Sequence, residues 1–255
     1  MERSAAADVR RHRIDRVPAV LDAVQGATGL ALVVFMWAHM LLVSSILLGA
    51  EAMYRVARFL EGAYLFGRPY PVLVSAIVAG VCLLFGVHAV IALQRIPASW
   101  REYRVFFRHA RGLRHADTWL WLLQVGTGLL LLFLAAVHLY QMLMHPGDIG
   151  PYESADSFVA GGMAPLYAVL LLAVELHGGI GFYRLVLKWG LLPVTADPRT
   201  QRRRLARLEW SITGFFLLLG ALTFAAYLKL GIEHAPHAGE RYVPVTAPAR
   251  MLERP

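Results

Sequence analysis

The sequence predicts an all-α integral membrane protein with five transmembrane helices, and three observations predict it. Hydrophobic residues make up 58% of the 255 and charged residues 16%, against roughly 45–50% and 25% in soluble domains. Five apolar stretches each reach the ~20 residues that a helix needs to cross a bilayer. The cationic residues gather in alternate connections between those stretches, as orientation in a membrane requires. Helices follow because backbone polar groups in lipid must be satisfied within the segment, and the stretches are longer than barrel strands.

The spans are expected at about residues 24–50, 71–93, 117–144, 164–189 and 210–231. Pro69 and Pro71 open the second, and the third stops before Pro146. The remaining segments are short connections, so residues 1–255 read as one membrane domain without a linker. The tail from Glu233 to Pro255, with Pro236, Pro244 and Pro248, is expected to be irregular.

Charge sets the orientation. Arg3, Arg10, Arg11, Arg13 and Arg16 precede the first span. Arg95, Arg101, Arg104, Arg108, Arg111 and Arg114 follow the second. Lys188, Arg199, Arg202, Arg203, Arg204 and Arg207 follow the fourth. The connection after the third span has no Lys or Arg, only Asp148, Glu153 and Asp156. Basic loops stay inside, so the N-terminus is expected in the cytoplasm and the C-terminus outside. The formal net charge of +8 therefore reads as topology and lipid contact, not as nucleic-acid binding. The single cysteine, Cys82, excludes an internal disulfide and an iron–sulfur cluster. The arginine-rich stretch from Met1 to Arg16 is not followed by a short apolar core with a cleavage site, so no cleavable signal peptide is expected.

Four histidines, His39, His88, His138 and His177, lie in four different spans. An intramembrane histidine is costly in lipid and usually faces the bundle interior, where it does chemistry. A weak internal repeat orders them. Gln25-x-x-Thr28-Gly29 precedes His39 at the same offsets as Gln124-x-x-Thr127-Gly128 precedes His138. His88 is followed by Ile91 and Arg95 as His177 is by Ile180 and Arg184. At a rise of about 1.5 Å per residue, His88 and His177 fall near the inner face, and His39 and His138 near the outer. Each pair is placed to clamp one haem iron from both sides, leaving no open position, which suits electron transfer.

The surroundings fit two haem b groups. Gly86, Gly178, Gly179 and Gly181 lie beside the ligand positions, although glycine also serves close helix packing. Gln25, Arg95, His115, Trp121, Arg184 and Lys188 lie near the inner end as candidate partners for haem propionates, where snorkelling is the competing explanation. His12, His109, His145, His234 and His237 lie in loops, tails or helix ends and read as surface residues. A haem-free transporter with packing histidines is the alternative of a different class.

Specific stretches carry a family resemblance. They are Ala27-Thr28-Gly29-Leu30, Phe35 to Leu48 (FMWAHMLLVSSILL), Arg114 to Thr118, Val137-His138-Leu139-Tyr140, Pro165-Leu166-Tyr167 and Val174 to Gly190 (VELHGGIGFYRLVLKWG). Over nearly its whole length the chain resembles the dihaem cytochrome b subunit of the succinate:quinone oxidoreductases, most closely the five-helix anchors of menaquinol:fumarate reductases. The resemblance implies a flavoprotein subunit carrying FAD and an iron–sulfur subunit on the cytoplasmic face of a bacterial inner membrane. It also implies menaquinol as the membrane substrate and a dimeric complex. It does not say whether fumarate reduction or succinate oxidation is the physiological direction. The nearest rival is the cytochrome b anchor of a hydrogenase or formate dehydrogenase, which lacks the Glu-x-His segment of the fourth span.

Two carboxylates stand apart. Glu175, two residues before His177, is an intramembrane carboxyl and so a candidate proton relay. The resemblance implies that it belongs to a transmembrane proton path. The alternative is a neutral acid hydrogen-bonded to backbone or haem. Glu61, in Phe59-Leu60-Glu61-Gly62, matches a family glutamate needed for quinol oxidation, where it would accept a hydroxyl proton. Its alternative is a solvated loop charge.

Overall fold

A computed structural model describes residues 16–96, 99–113, 116–191 and 197–245. Helix α1 (Val17–Val43) tightens into a 3₁₀ segment, η1 (Ser44–Leu48). Two short helices follow, α2 (Ala50–Leu60) and α3 (Ala63–Phe66), then α4 (Pro71–Leu93), α5 (Trp100–Leu113) and α6 (Ala116–Met144). The chain continues through α7 (Pro151–Phe158), α8 (Ala164–Trp189), α9 (Pro198–His234) and η2 (Ala235–His237). Five of these are long and apolar enough to cross a membrane: α1 with η1, α4, α6, α8 and α9.

Proline sets several starts. Pro18, Pro71, Pro151 and Pro165 occupy first-turn positions, where the missing N–H has no acceptor to lose. Glycine sets two ends. Gly49 (φ 112°) separates η1 from α2, and Gly190 (φ 60°) closes α8 in the left-handed region.

Helices α1, α4, α6 and α8 form a ring in that order, each packed on its two neighbours, and α9 packs outside against α8, α1, η1 and α7. Helices α8 and α9 are antiparallel, because Gly179 faces Thr213 while Gly220 faces Leu171. The burial pattern is that of a membrane bundle. Leu83, Phe133, Leu172 and Leu218 are exposed, while Thr28, Thr127, Glu175, Glu209 and Thr213 are buried. Two apolar clusters close the ends: Ile46, Met53, Ala155 and Tyr227 at one, and Tyr183, Val186 and Leu205 at the other.

Several expectations need correction. The first and fifth helices begin earlier than the apolar stretches suggest, at Val17 and Pro198, because α-helix continues through polar residues outside the hydrocarbon. The connections after the first and third spans are not plain loops but hold α2, α3 and α7, whose mixed composition conceals them. The tail is helical as far as His234 and continues through η2. His234, expected on the surface, is buried, and its Nδ1 lies 2.8 Å from Asp156 Oδ1. The basic segment of residues 1–15, His12, Arg114 and His115 lie outside the described residues.

Candidate haem site

The ring topology puts α1 diagonally opposite α6, and α4 opposite α8. The histidines meet across those diagonals. The rings of His39 and His138 have centroids 6.1 Å apart, and those of His88 and His177 are 6.4 Å apart. An iron between two imidazoles needs about 6.2 Å, from two metal–nitrogen bonds of about 2 Å and two ring radii of about 1.1 Å. Both separations meet that requirement. Among the described residues no three His, Cys, Asp or Glu side chains gather to hold a metal ion. Two nitrogens per centre suit a metal whose equatorial ligands come with a macrocycle.

The second nitrogen of each imidazole in the His88–His177 pair has a defined task. His177 Nδ1 lies 2.8 Å from the backbone oxygen of Gln124. His88 Nδ1 lies 3.2 Å from the backbone oxygen of Gln25 and 3.3 Å from Thr28 Oγ1. A carbonyl oxygen only accepts, so Nδ1 carries the proton and Nε2 keeps its lone pair for a metal. The carbonyls differ in origin but not in pattern: each comes from the Gln-x-x-Thr-Gly repeat of the neighbouring helix.

The rest of the repeat serves the same rings. Thr28 and Thr127 turn their hydroxyls back onto Val24 and Leu123 carbonyls, at 2.8 and 2.7 Å, so no unpaired O–H is left beside the imidazole. Gly29 and Gly128 provide space. A methyl group at Gly128 would lie 2.8 Å from His177 Cε1, and one at Gly29 would lie 3.0 Å from His88 Cε1. Along α1, His39 comes ten residues after Gly29, and along α6, His138 comes ten after Gly128. The two histidine pairs are therefore separated by roughly 15 Å along the bundle.

The His39–His138 pair is held differently. The ring of His138 is oriented by Tyr167, whose hydroxyl lies 3.4 Å from Nδ1 and donates to Gln141 Oε1 at 3.2 Å. His39 stacks on Phe35 with centroids 5.8 Å apart. In the sequence, Tyr167 stands out only as part of a matching stretch.

The candidate propionate partners divide. Gln25 meets His88 through its backbone carbonyl. Arg95 and Lys188 share one acid, Asp22. Arg95 Nη1 lies 2.8 Å from Asp22 Oδ1, and Lys188 Nζ pairs with Asp22 Oδ2. This triad ties α1, α4 and α8 at the end of the bundle near the His88–His177 pair. Trp121 is half-buried on α6.

Glu175 is fully buried on α8, and among the described residues neither carboxyl oxygen has a hydrogen-bond partner. Glu61 is also fully buried, at the end of α2, which removes the solvated-loop alternative. Arg58 grips it with Nη1 at 2.7 Å from Oε2 and Nη2 at 2.9 Å from Oε1. Burial pushes the Glu61 carboxyl above its usual 4.5, and the Arg58 and Arg241 charges oppose that shift.

Comparison with known proteins agrees with this architecture. Residues 100–219 match the family described as succinate dehydrogenase/fumarate reductase transmembrane subunit. The fumarate reductase cytochrome b subunit of Helicobacter pylori (strain J99) is 45% identical over 216 residues, covering 85% of this chain and 83% of that protein. The fumarate reductase cytochrome b subunit of Wolinella succinogenes is 43% identical over 228 residues, covering 89% of each.

Proposed function

Since the chain belongs to the family of fumarate reductase cytochrome b subunits, we propose that it holds two haem b groups and takes electrons from menaquinol. It is the membrane subunit of the enzyme. The N-terminus lies in the cytoplasm of a bacterium, the C-terminus lies outside, and the inner membrane surrounds the bundle. On the cytoplasmic face dock an iron–sulfur subunit and a flavoprotein subunit with FAD, where fumarate is reduced. The complex is a dimer.

The observation that carries this reading is the pair of imidazole separations across the diagonals, 6.1 and 6.4 Å. Bound haems supply one-electron transfer between the quinol end and the iron–sulfur end. His39 and His138 hold the outer group, and His88 and His177 the inner one. The Gln25 and Gln124 carbonyls keep the inner imidazoles in the tautomer that offers Nε2. Arg95 and Lys188, with Gln25, Trp121 and His115, are the candidate partners of the inner propionates.

Glu61 receives a proton from the quinol hydroxyl, and Arg58 holds its carboxylate ready. Glu175 carries protons along the bundle as electrons cross it. Such compensation has energetic weight, since moving one charge across the membrane costs about 2.3 kcal/mol per 100 mV.

Reduced-minus-oxidised spectra with haem quantitation test the reading on the purified protein, on His39→Ala and on His177→Ala. Two b haems per chain, with each variant losing mainly one, are expected. Correctly folded protein without haem would overturn it.

A further inference from the structure

One face of α9 is buried along its length and carries polar groups from end to end. Glu209 (4% exposed) and Thr213 (1%) come first, and Thr223, Tyr227 and His234 follow. A polar side chain in hydrocarbon normally finds a partner, as Thr223 does by donating to Ser44 Oγ at 2.7 Å. Glu209 Oε1 and Thr213 Oγ1 have none among the described residues.

Both groups lie at one close crossing of α8 and α9. A methyl group at Gly179 of α8 would collide with Thr213 Oγ1 and lie 3.4 Å from Glu209 Oε1, so this glycine lets both polar atoms lie close against the α8 backbone, side by side in the α8–α9 seam. The antiparallel register continues the line. Gly179 faces Thr213 and Leu171 faces Gly220, which puts Glu175 level with the stretch between Thr213 and Gly220. At the other side of Glu209 the helix becomes strongly basic and exposed, with Arg203, Arg204 and Arg207. Glu209 thus stands where the aqueous end of α9 passes into the bundle.

We propose that Glu209 is the proton-releasing residue of the α8–α9 seam, receiving protons through Thr213 from deeper in the bundle and giving them to water at the basic end. The Thr213 hydroxyl gives its proton to the Glu209 carboxylate while its oxygen takes up the proton arriving from the Glu175 side of the seam. The Glu209 carboxylic acid then gives its proton to water at the basic end and returns to the carboxylate, so charge and atoms balance. This assignment rests on the reading above that Glu175 carries protons. It adds where they leave and by which helix.

The test uses the whole complex in sealed vesicles, with a menaquinol analogue as donor and fumarate as acceptor. Turnover is compared for the parent, Glu209→Gln, Glu209→Asp, Thr213→Val and Glu175→Gln, each checked for full haem content. Glu209→Gln is expected to lower turnover by on the order of tenfold or more, as loss of a positioned proton-transfer group does, with Glu209→Asp restoring most of it. The carboxylic C=O signal in the redox-difference infrared spectrum should weaken in Glu209→Gln. Parent-like turnover in Glu209→Gln beside an impaired Glu175→Gln overturns the Glu209 assignment and leaves the proton-path reading standing. Parent-like turnover in both overturns both. A loss of turnover with an unchanged infrared spectrum identifies Glu209 as a packing group and also overturns the proposal. Should Glu209→Gln not assemble, Thr213→Val decides: parent-like turnover there overturns the relay.

Discussion

His177 donates its Nδ1 proton to the backbone oxygen of Gln124, 2.8 Å away on the neighbouring helix, and Gly128, one turn further along that helix, leaves room for the ring. Position, tautomer and space for one imidazole thus come from five consecutive residues of α6. The matching stretch of α1 does the same for His88.

Gly128→Ala should therefore act on one histidine pair only. The new methyl group would stand 2.8 Å from His177 Cε1, and the ring must turn or shift. Loss of such a supporting contact weakens metal binding by about 10–100-fold. Haem quantitation on the purified variant should show the His88–His177 site depleted and the other retained. Gly29→Ala, at 3.0 Å, should do the same more mildly. Equal loss from both sites would contradict the separate support inferred for each pair.

Breaking the Arg58–Glu61 pair should have a measurable pH signature. Glu61 is fully buried and its carboxyl is already held above 4.5 by burial, with Arg58 opposing the shift. A raised folded pKa means that the folded protein keeps the proton after the unfolded chain has lost it. Stability from this group is thus present below the ordinary carboxyl range and falls as pH rises through the raised value. Arg58→Ala pushes the carboxyl further up, widening that window, and leaves a buried charge uncompensated above it. Thermal melts in detergent across pH should show the variant losing stability relative to the parent as pH rises. A constant difference at all pH values would exclude the linkage.

The Asp22 triad should matter more for potential than for stability. Its members are between a third and a half exposed, and such pairs contribute about 0–1 kcal/mol. Asp22→Asn leaves Arg95 and Lys188 without their shared anion. Excess positive charge near the His88–His177 pair favours the reduced state. A redox titration should find the midpoint of that haem raised, on the order of tens of millivolts, with the melting temperature little changed. A fall in the midpoint would argue against this placement of charge.

Much of this is legible in the sequence, and the reasons are physical. Five spans are readable because lipid demands long apolar runs, and the four histidines stand out because lipid penalises them. The Gln-x-x-Thr-Gly repeat is visible too, but its use is not. The acceptor is a backbone carbonyl, which every residue carries, and it serves a histidine on a neighbouring helix, not the one that follows in sequence. Glu209 is hidden for a related reason. It borders an arginine cluster, where a carboxylate reads as a surface charge until the register of α8 and α9 buries it. His234 reads as tail because the apolar run ends before it, although the helix does not.

That tail offers a test of its own. Asp156 on α7 lies 2.8 Å from His234 Nδ1 through Oδ1 and accepts the Gly239 N–H at 2.8 Å through Oδ2, while Tyr152 stacks on the His234 ring at 4.1 Å. One carboxylate thus joins α7, the end of α9 and the segment beyond η2. Hydrogen bonds to a charged group are worth about 1.5–3 kcal/mol each. Asp156→Ala should lower stability by about 2–4 kcal/mol and release residues 238–245 to added protease, with haem content unchanged. Protease resistance equal to the parent's would show that the carboxylate does not hold this segment.

Two glycines of α9 should respond differently to the same added methyl group. At Gly231 it would stand 2.5 Å from the backbone oxygen of Ala155, and α7 must move to admit it. At Gly220 it would meet the Leu171 and Met40 side-chain ends, which can rotate away. Overpacking against fixed atoms costs about 1–3 kcal/mol, whereas flexible neighbours absorb much of it. Gly231→Ala should lower the melting temperature clearly, and Gly220→Ala should stay close to the parent. The reverse order would mean that α7 yields more easily than the α8–α9 contact, and the Asp156 clamp would then be too weak to fix α7 against α9.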